Sequence, residues 1–425
     1  MCYTLRMKKF SVVYQIYPLG FCGAEKTASE EAHSRLGAIA DIIPDIKRLG
    51  ADAVLLNPVL SSTSHGYDTE DLFAVDRRLG TADDLRALVA AFHKEGISVI
   101  LDSVFDHVGR NFGPFVRLRA SGGREYRDWF IVRDGNTPYG DGFYYEPWEG
   151  HFELVRLNLD NPAVQEHLLG ALKFWISEFG IDGVRLDVAY MLPKWFIKML
   201  RQAAGDGFYF VGEMIHGDYG RFIDETGIDS VTDYECYKGI YSALNSRNLF
   251  EIEHSMTRLF GNEPWALCRG RDLLNFTDNH DVSRIYTILN DKRDVYAAYT
   301  ILFAMPGTPC VYYGSEYACE GDKRNGDAAL RPCWRDVDKS DGRLFGYISR
   351  LAELKRTQAG LIGTDYRKIF LTNTALAFGR GEITAAVNIG EQPVAMPLEN
   401  CVSLIDGREY KGVMPGKSCD VFRRL

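Results

Sequence analysis

Two carboxylates in this sequence stand where catalysis could use them. Asp187 lies in the apolar stretch GIDGVRLDVAY (180–190), two residues after Arg185, and Glu213 follows the apolar run FYFVG. A buried charge costs several kcal/mol unless it is paired. An arginine and an aspartate so placed therefore form either a structural ion pair or a carboxylate that the cation keeps ionised for catalysis.

The two carboxyls have different expected surroundings, and that difference suggests a reaction. The cation beside Asp187 favours its charged form, whereas burial behind FYFVG should raise the pKa of Glu213. An ionised carboxylate and a protonated one on either side of a glycosidic bond suffice for hydrolysis with retention of configuration. Asp187 is thus the expected nucleophile and Glu213 the expected acid.

Further polar side chains lie at or after the ends of other strand-like runs and could serve the same reaction. A third carboxylate, Asp281, could stabilise an oxocarbenium-like transition state. His107 and His280 are suited to hydrogen-bond sugar hydroxyls, and Tyr67 in HGYDT offers an aromatic face to a sugar ring. Asp102 is expected to orient its neighbours and to bind the site arginine.

Several of these residues have less specific interpretations. Asp102, Asp106 and the histidine that follows could form a metal cluster, but no second histidine-rich cluster completes it, and we expect no metal ligands. Trp148 and Phe152 could stack on sugar rings or form a small core, and we favour the core. Glu316, after the last strand-like run, is expected to be structural or a contact at the rim.

Strand-like apolar runs alternate with helical patterns through most of the chain. The segments 81–96 and 161–180 each begin at a capping residue and end at glycine, as helices do. Strand–helix alternation produces a parallel sheet, and eight repeats predict an α/β fold built on a (β/α)8 TIM barrel. In the fourth run, alternation of the two faces is expected to continue through Ala189. The runs are residues 12–18, 51–59, 98–107, 181–189, 208–214, 229–235, 272–281 and 308–316.

Two segments depart from this alternation of strands and helices. Residues 108–160 are too long for a simple connection and are rich in Gly, Arg, Tyr and Trp, which predicts a small inserted domain after strand 3. Short alternating runs after residue 360 predict a C-terminal antiparallel β-domain. We therefore expect a catalytic barrel from 1–107 and 161–359, the inserted domain at 108–160, and a C-terminal β-sandwich domain at 360–425. Because the C-terminal ends of barrel strands meet on one face, the candidate residues should converge there.

Composition excludes several classes of protein. The chain of 425 residues has a net charge of −9 and no basic tract, which argues against a nucleic-acid partner. No apolar run reaches the length of a signal peptide or of a membrane span, so we expect no membrane partner. The nine cysteines form no CxxC pair, which favours reduced thiols and a cytoplasmic location.

Four short segments resemble, in order and at the expected strands, the characteristic regions of the α-amylase family of glycoside hydrolases (family 13). They are DSVFDHV (102–108), GVRLDVA (183–189), GEMI (212–215) and FTDNHD (276–281). The resemblance covers nearly the whole chain. Segments 65–76, 126–130 and 320–332 look most like the neopullulanase, cyclomaltodextrinase and α-glucosidase branch.

The resemblance implies both an activity and a set of site residues. It implies a retaining α-glucoside hydrolase that cleaves α-1,4 bonds of maltooligosaccharides or related α-glucans through a covalent glucosyl-enzyme intermediate. The alternatives are a glucosyltransferase or phosphorylase of the same family and a non-catalytic sugar-binding member, which we disfavour because all three carboxylates are kept. The implied catalytic residues are Asp187 as nucleophile, Glu213 as acid/base and Asp281 as transition-state stabiliser. The implied substrate-binding residues are Tyr67, Asp102, His107, Arg185 and His280.

The sequence also departs from the family pattern. Asp106 stands where the family usually has an asparagine that often binds calcium or supports the site, so no cofactor is expected to be required and calcium is left open. Val155 stands in LVRLN (154–158), where the family's fifth region usually has proline. Strand one begins almost at once, so the extra N-terminal dimerisation domain of this branch is not expected, and we predict a monomer or a weak homodimer.

Overall fold

The chain folds around a closed barrel of eight parallel strands. The computed structural model describes residues 9–29, 31–363 and 365–425; Cys2 and the rest of the first eight residues lie outside them. Each barrel strand pairs with the next in sequence, and the last pairs with the first. The strands are β1 Val13–Ile16, β2 Ala53–Leu56, β3 Ser98–Ser103, β4 Gly183–Leu186, β5 Tyr209–Gly212, β6 Ser230–Thr232, β7 Asp272–Phe276 and β8 Thr308–Tyr312.

Every one of the eight predicted runs contains one barrel strand, so the predicted barrel is confirmed. The apolar runs lack clear alternation because side chains on both faces of a barrel strand are buried, inside the barrel or under the helices. The expected alternation in the fourth run is wrong beyond Leu186. There the strand ends, and Val188 has a φ of 41°, which turns the chain into a short 3₁₀ helix. Asp187 therefore lies at the rim of the barrel and not within a strand.

Helices surround the barrel, and their ends follow local sequence signals. Thr81 caps its helix in a capping box with Asp84, and Asn161 caps the helix that follows the inserted segment. That second helix ends at Gly180, whose φ of 73° favours glycine. The described α-helices are Pro18–Phe21, Gly37–Ala40, Ile43–Leu49, Ala82–Lys94, Gly113–Ala120, Pro162–Phe179, Lys194–Ala204, Tyr219–Thr226, Tyr234–Ser246, Phe250–Phe260, Ile285–Ile288, Val295–Ala304, Arg343–Thr357 and Ala359–Ile362. The 3₁₀ helices are Arg127–Trp129, Ala189–Met191, Lys292–Asp294, Ser315–Tyr317, Lys323–Asn325, Asp327–Leu330 and Trp334–Asp336.

A small antiparallel unit follows β3 and lies at the C-terminal ends of the barrel strands. Its sheet has the order His107–Gly109, His151–Arg156, Pro147–Trp148. Phe115 is fully buried at its centre and contacts Tyr145 edge to face. This unit begins directly at His107, so it places a predicted site residue at the junction with the barrel. Two-stranded sheets also form from Leu60–Ser62 with Thr69–Val75 and from Val132–Arg133 with Tyr144–Tyr145.

The chain ends in a second antiparallel β-unit, as predicted. Its five-stranded sheet packs on the helix Val295–Ala304, which connects β7 to β8 on the outside of the barrel. In sheet order its strands are Arg367–Leu371, Ala375–Arg380, Ile383–Asn388, Ser418–Arg424 and Cys401–Ser403, and Val394–Ala395 pairs separately with Val413–Met414. Within the described ranges, no helix is both long and apolar enough to cross a membrane.

Candidate active site

A cavity of about 570 Å³ opens at the C-terminal ends of the barrel strands. The structure brings all eight predicted site residues to this end of the barrel. Five of them line the cavity: Tyr67, His107, Asp187, Glu213 and Asp281. The other three, Asp102, Arg185 and His280, are at most 3% exposed and form the layer beneath it.

Arg185 is the centre of this layer. One terminal nitrogen, Nη1, donates to Asp102 Oδ1 at 2.6 Å and to Asp187 Oδ1 at 3.1 Å. The other, Nη2, lies 2.9 Å from Glu213 Oε1. The arginine is therefore more than a structural partner of one aspartate, because it holds three carboxylates from three adjacent strands. This arrangement follows from the register, in which Arg185 pairs with Asp102 on one side and with Val211, two residues before Glu213, on the other.

Sharing one cation among three carboxylates changes the charge expected for Asp187. Arg185 favours the charged form of Asp187, as expected, but other effects outweigh it. Burial raises the pKa of Asp187 well above its ordinary value and the Glu213 carboxylate raises it further, while Arg185 opposes this only in part. An ionised Asp187 therefore needs positive charge in addition to that of Arg185.

Glu213 is fixed by donors that the sequence did not reveal. Its Oε2 accepts the backbone N–H of Val188 at 3.0 Å, and its Oε1 accepts the hydroxyl of Tyr234 at 3.4 Å. A positive φ at a β-branched residue such as Val188 is strained. The strained turn after Asp187 therefore also positions the second carboxylate.

Asp281 is held ionised from two sides. Its Oδ1 accepts from Nη2 of Arg331 at 3.0 Å, and its Oδ2 lies 2.9 Å from Nε2 of His280. Burial by itself would raise the pKa of Asp281, but His280, Arg331 and Arg185 together bring it far below its ordinary value. Arg331 was not singled out, because the charged residues of 320–341 read like a solvated loop of which only part could border the substrate entrance.

A buried polar network lies below the cavity and orients His280 and Tyr67. Gln15 Nε2 donates to Asn57 Oδ1 at 2.9 Å and to His280 Nδ1 at 3.0 Å, so Nε2 of that histidine carries the proton, which faces both the Tyr67 hydroxyl and Asp281. Tyr67 donates to Asp102 Oδ2 at 2.9 Å, which also accepts from Asn57 at 2.8 Å. Gln15 and Asn57 were not predicted, although a polar residue inside each apolar strand run was a visible signal.

The inserted unit forms one wall of the cavity. His107 is 1% exposed; its Nδ1 lies 3.6 Å from Asp106 Oδ2, and its Nε2 has no hydrogen-bond partner among the described residues. A buried polar group without a partner is expected to find one in a ligand. Trp148 lies beside it with ring centroids 5.7 Å apart and lines the cavity, so the expectation that Trp148 only forms core is wrong. Phe152 packs edge to face on Tyr145, as expected of core.

The residues at the predicted family calcium position do not fit a cation. Asp106 is 1% exposed, and its Oδ1 accepts from Arg156 Nη2 at 3.1 Å. Burial alone would raise the pKa of Asp106, but His107 and Arg156 lower it overall. Asp102 faces Arg185, so the alternative cluster of Asp102, Asp106 and His107 is not assembled. Across the described ranges, no group of three His, Cys, Asp or Glu side chains is placed to hold a metal ion.

We therefore expect Arg156 to do the structural work of a cation at the junction of barrel and inserted unit. Replacing Arg156 with methionine leaves Asp106 buried without its main partner, so the free energy of unfolding should fall by about 3 kcal/mol. Chemical denaturation of both proteins, with and without a chelator, measures this. An unchanged stability in Arg156→Met, or a loss of wild-type stability with the chelator, would contradict the assignment.

Glu316 does not reach the rim of the cavity. It is 2% exposed and lies beside β1. Its Oε1 accepts a hydrogen bond from the hydroxyl of Tyr14 at 2.6 Å, and its Oε2 has no hydrogen-bond partner among the described residues. Burial raises its pKa from 4.5 to about 7. Its role is structural, which was one of the two expectations.

This buried carboxyl should make stability depend on pH. Between about pH 4.5 and 7 the folded protein keeps the proton of Glu316 while the unfolded chain releases it, so the free energy of unfolding falls as pH rises. Glu316→Gln removes this dependence, and from pH 5 to pH 8 the variant should lose about 1–3 kcal/mol less than the wild type. Denaturant unfolding at the two pH values measures the difference. Parallel losses in the two proteins would exclude Glu316 as the source.

The sequence and the fold of this chain have counterparts among known proteins. A family model described as "Alpha amylase, catalytic domain" matches residues 15–344. A cyclomaltodextrinase of a Bacillus species is 31% identical over 83% of this chain and 67% of its own length. An intracellular maltogenic amylase of Bacillus subtilis is 28% identical over 83% of this chain and 63% of its own length. The chain thus spans about two thirds of the length of these curated relatives.

Solved structures agree with the sequence comparison. A protein of Thermus thermophilus superposes with a TM-score of 0.83 and 29% identity, over 97% of this chain and 99% of that one. Cyclic α-maltosyl-(1→6)-maltose hydrolase of Arthrobacter globiformis gives a TM-score of 0.82 and 25% identity, over 97% and 98%. Both similarities extend over the barrel, the inserted unit and the C-terminal unit.

Proposed function

This chain belongs to the α-amylase family, and we propose that it is a retaining α-glucoside hydrolase. It would cleave α-1,4-glucosidic bonds of maltooligosaccharides or related α-glucans through a covalent glucosyl-enzyme intermediate. Names of similar proteins, cyclomaltodextrinase and neopullulanase among them, support this class of substrate. No cofactor takes part in the proposed reaction.

One observation carries the proposal: Asp187 and Glu213 follow adjacent strands, line one cavity and contact the same guanidinium. Retaining glycosidases place two carboxyls about 5–5.5 Å apart, whereas inverting enzymes leave about 6.5–9.5 Å for a water molecule. A single guanidinium that touches both carboxyls with its two terminal nitrogens keeps them close. The arrangement therefore favours retention.

In the proposed reaction, Glu213 carries a proton when Asp187 attacks. Positive charge that develops at the anomeric carbon favours the ionised form of Asp187, which burial and the Glu213 carboxylate disfavour. Asp187 forms a bond to the anomeric carbon while Glu213 protonates the departing oxygen. Glu213 then takes a proton from water, which displaces Asp187 and releases the sugar with its configuration retained.

The remaining site residues would bind and stabilise the sugar. Asp281, ionised through Arg331 and His280, would face the positive charge of the transition state. His107 Nε2 and the indole nitrogen of Trp148 have no hydrogen-bond partner among the described residues and would bind sugar hydroxyls, and Tyr67 would stack on the ring. Arg185 and Asp102 would hold the carboxylates in place.

Location and assembly are further parts of the proposal. We propose a cytoplasmic enzyme, because its cysteine pattern suits reduced thiols and similar proteins are named intracellular maltogenic amylases. Its partner would be the α-glucan substrate, without nucleic acid or membrane. In solution it would be a monomer or a weak homodimer.

Product analysis tests this function directly. The protein is incubated with maltose through maltoheptaose, pullulan and cyclodextrin, with and without phosphate. Release of reducing sugar that is independent of phosphate is the expected result. Longer oligosaccharides or glucose 1-phosphate as the main product would show that an acceptor other than water is used, and would replace hydrolysis with transfer or phosphorolysis.

A further inference from the structure

The hydrogen bonds that join Asp102 to His280 fix one another's direction. As a carboxylate paired with Arg185, Asp102 only accepts hydrogen bonds, and its Oδ2 accepts from Asn57 Nδ2 at 2.8 Å. This contact turns Asn57 Oδ1 toward Gln15, whose Nε2 donates to it at 2.9 Å. The second hydrogen of Gln15 Nε2 then points at Nδ1 of His280, 3.0 Å away. A carboxylate on β3 therefore determines which atom of Gln15, on β1, meets the histidine.

The far end of the Gln15 amide agrees with this orientation. Its Oε1 faces the thiol of Cys310, a weak donor whose Sγ lies 4.0 Å away. A reversed amide would set Oε1 against Asn57 Oδ1, so that two acceptors faced each other. Gln15 is 4% exposed and Asn57 is fully buried, so water cannot relieve such a contact. Neither amide can turn without leaving buried polar atoms unpaired.

The amide donor of Gln15 keeps a proton off Nδ1 of His280. A proton on that nitrogen would place the N–H of the ring against the N–H of the amide at a separation of 3.0 Å. The ring is 1% exposed, so both donors would lose their acceptors at a buried position. His280 can then carry only the proton on Nε2, and it stays neutral.

Charged groups around His280 act in opposite directions and do not decide its protonation alone. Asp281, whose Oδ2 lies 2.9 Å from Nε2, favours a charged ring. Arg331, whose Nε donates to the backbone oxygen of His280 at 3.1 Å, opposes it. The rings of Tyr17 and Tyr67 stack on the imidazole, and burial raises the pKa of both hydroxyls, so neither adds a charge. The contact at Nδ1 is therefore the deciding one.

A neutral ring with its proton on Nε2 is the form of His280 that suits the proposed reaction. Positive charge develops at the anomeric carbon, and a second proton on the ring would offset part of the stabilising charge of Asp281. A neutral ring with its proton on Nδ1 would instead turn a lone pair of Nε2 toward that carboxylate and lose the hydrogen bond. Only the form with the Nε2 proton holds Asp281 in place and leaves its charge undiminished.

We propose that Gln15 is a positioning residue for catalysis, which keeps His280 neutral with its proton on Nε2, and that Asn57 passes the required orientation to it from Asp102. This role rests on the proposed function. It links the carboxylate layer beneath the nucleophile to Asp281, the residue that would face the transition state.

Neutron diffraction on the wild-type protein at pH 7 tests the arrangement, because it locates deuterium and distinguishes amide nitrogen from oxygen. We expect deuterium on Nε2 of His280 and none on Nδ1. The amide nitrogens of Gln15 and Asn57 should face Nδ1 and Asp102, respectively. Deuterium on Nδ1, or a reversed Gln15 amide, overturns the proposal. The measurement needs neither a variant nor a substrate, so it is independent of the proposed function.

Gln15→Glu tests what the amide contributes to catalysis. The carboxylate has nearly the shape of the amide but only accepts hydrogen bonds, so Nδ1 of His280 should take a proton. Nitrogen NMR of the histidine-labelled protein detects this proton, and His280→Gln assigns the signal. We expect kcat/KM for maltoheptaose to fall about 10–100-fold, as for other residues that orient a site histidine.

Asn388→Asp is the matched control, because it also replaces a buried amide by its acid. Asn388 is 1% exposed in the C-terminal unit, and its Nδ2 donates to Gln392 O and Pro415 O at 2.9 Å. The variant should lose stability like Gln15→Glu, yet keep the wild-type kcat/KM and the wild-type proton position on His280.

The outcomes separate this role from the proposed function. An unprotonated Nδ1 in Gln15→Glu, or wild-type activity in a variant that carries the Nδ1 proton, overturns the role while leaving hydrolysis intact. An equal loss of activity in Asn388→Asp overturns it as well, because the loss would then follow from stability. If the wild type hydrolyses no α-glucan, the proposed function fails, and the proton position in the two proteins decides whether Gln15 controls His280.

Discussion

Replacing Asp187 with asparagine is expected to abolish turnover without destabilising the protein. The amide cannot form the glycosyl bond, so kcat should fall on the order of 10⁴-fold or more. Burial and Glu213 raise the pKa of Asp187, so its charged form is disfavoured in the folded state and a neutral isostere removes that cost. Steady-state kinetics and thermal unfolding at pH 7 to 8 measure both effects, and the melting temperature should be equal or higher.

A buried aspartate outside the cavity provides the matched control. Asp76 accepts from Arg78 Nη2 at 2.6 Å and is 3% exposed, so it is a structural ion pair of similar burial. Asp76→Asn should lower stability and keep kcat, the reverse of Asp187→Asn. Residual activity of Asp187→Asn near the wild-type value would remove the nucleophile assignment. A large loss of stability in that variant would show that Arg185 and Asp187 form a structural pair.

Replacing Glu213 with glutamine should have an effect that depends on the leaving group. Natural maltooligosaccharides need a proton on the departing oxygen, so kcat/KM should fall by about 10²–10⁴-fold. Fluoride leaves from an α-maltosyl fluoride without protonation, so its initial release should fall far less. Hydrolysis of the resulting intermediate still needs a base, and azide, a nucleophile that needs none, should accelerate the second step. Fluoride release and oligosaccharide hydrolysis are measured on the same protein.

This contrast distinguishes an acid/base from a residue that only positions substrate. Equal losses on the fluoride and on maltooligosaccharides would remove Glu213 from proton transfer. Tyr234→Phe is the matched control, because Tyr234 contacts the Glu213 carboxylate at 3.4 Å yet donates no proton in the proposed reaction. It should lower both activities alike and only modestly.

The barrel was predictable from sequence because burial on both faces makes each strand a short apolar run. The same logic located the carboxylates, since ionisable residues at the ends of such runs must meet at one end of a closed barrel. The strand boundary in the fourth run was not predictable. The left-handed turn at Val188 is imposed by its tertiary surroundings against the local preference of a β-branched residue.

The charge states of the site residues could not be predicted from the sequence for a related reason. The pKa of Asp187 depends on how many carboxylates share Arg185, and only the register of β3, β4 and β5 shows that there are three. In the sequence, Arg331 cannot be told from a surface arginine. In the structure, the loop after β8 brings its guanidinium to Asp281. Sequence spacing identifies groups that can react, whereas their protonation follows from contacts between strands.

The proposed reaction requires a covalent intermediate on Asp187, and mass spectrometry can detect this intermediate once it is trapped on the enzyme. Glu213→Gln is reacted with α-maltosyl fluoride, which should form the intermediate faster than the variant can hydrolyse it. Digestion and peptide sequencing by mass then locate the sugar. A maltosyl adduct is expected on Asp187, in the peptide that contains Arg185–Val188 or its cleavage product. Fluoride release without an adduct, or an adduct on another residue, would contradict it.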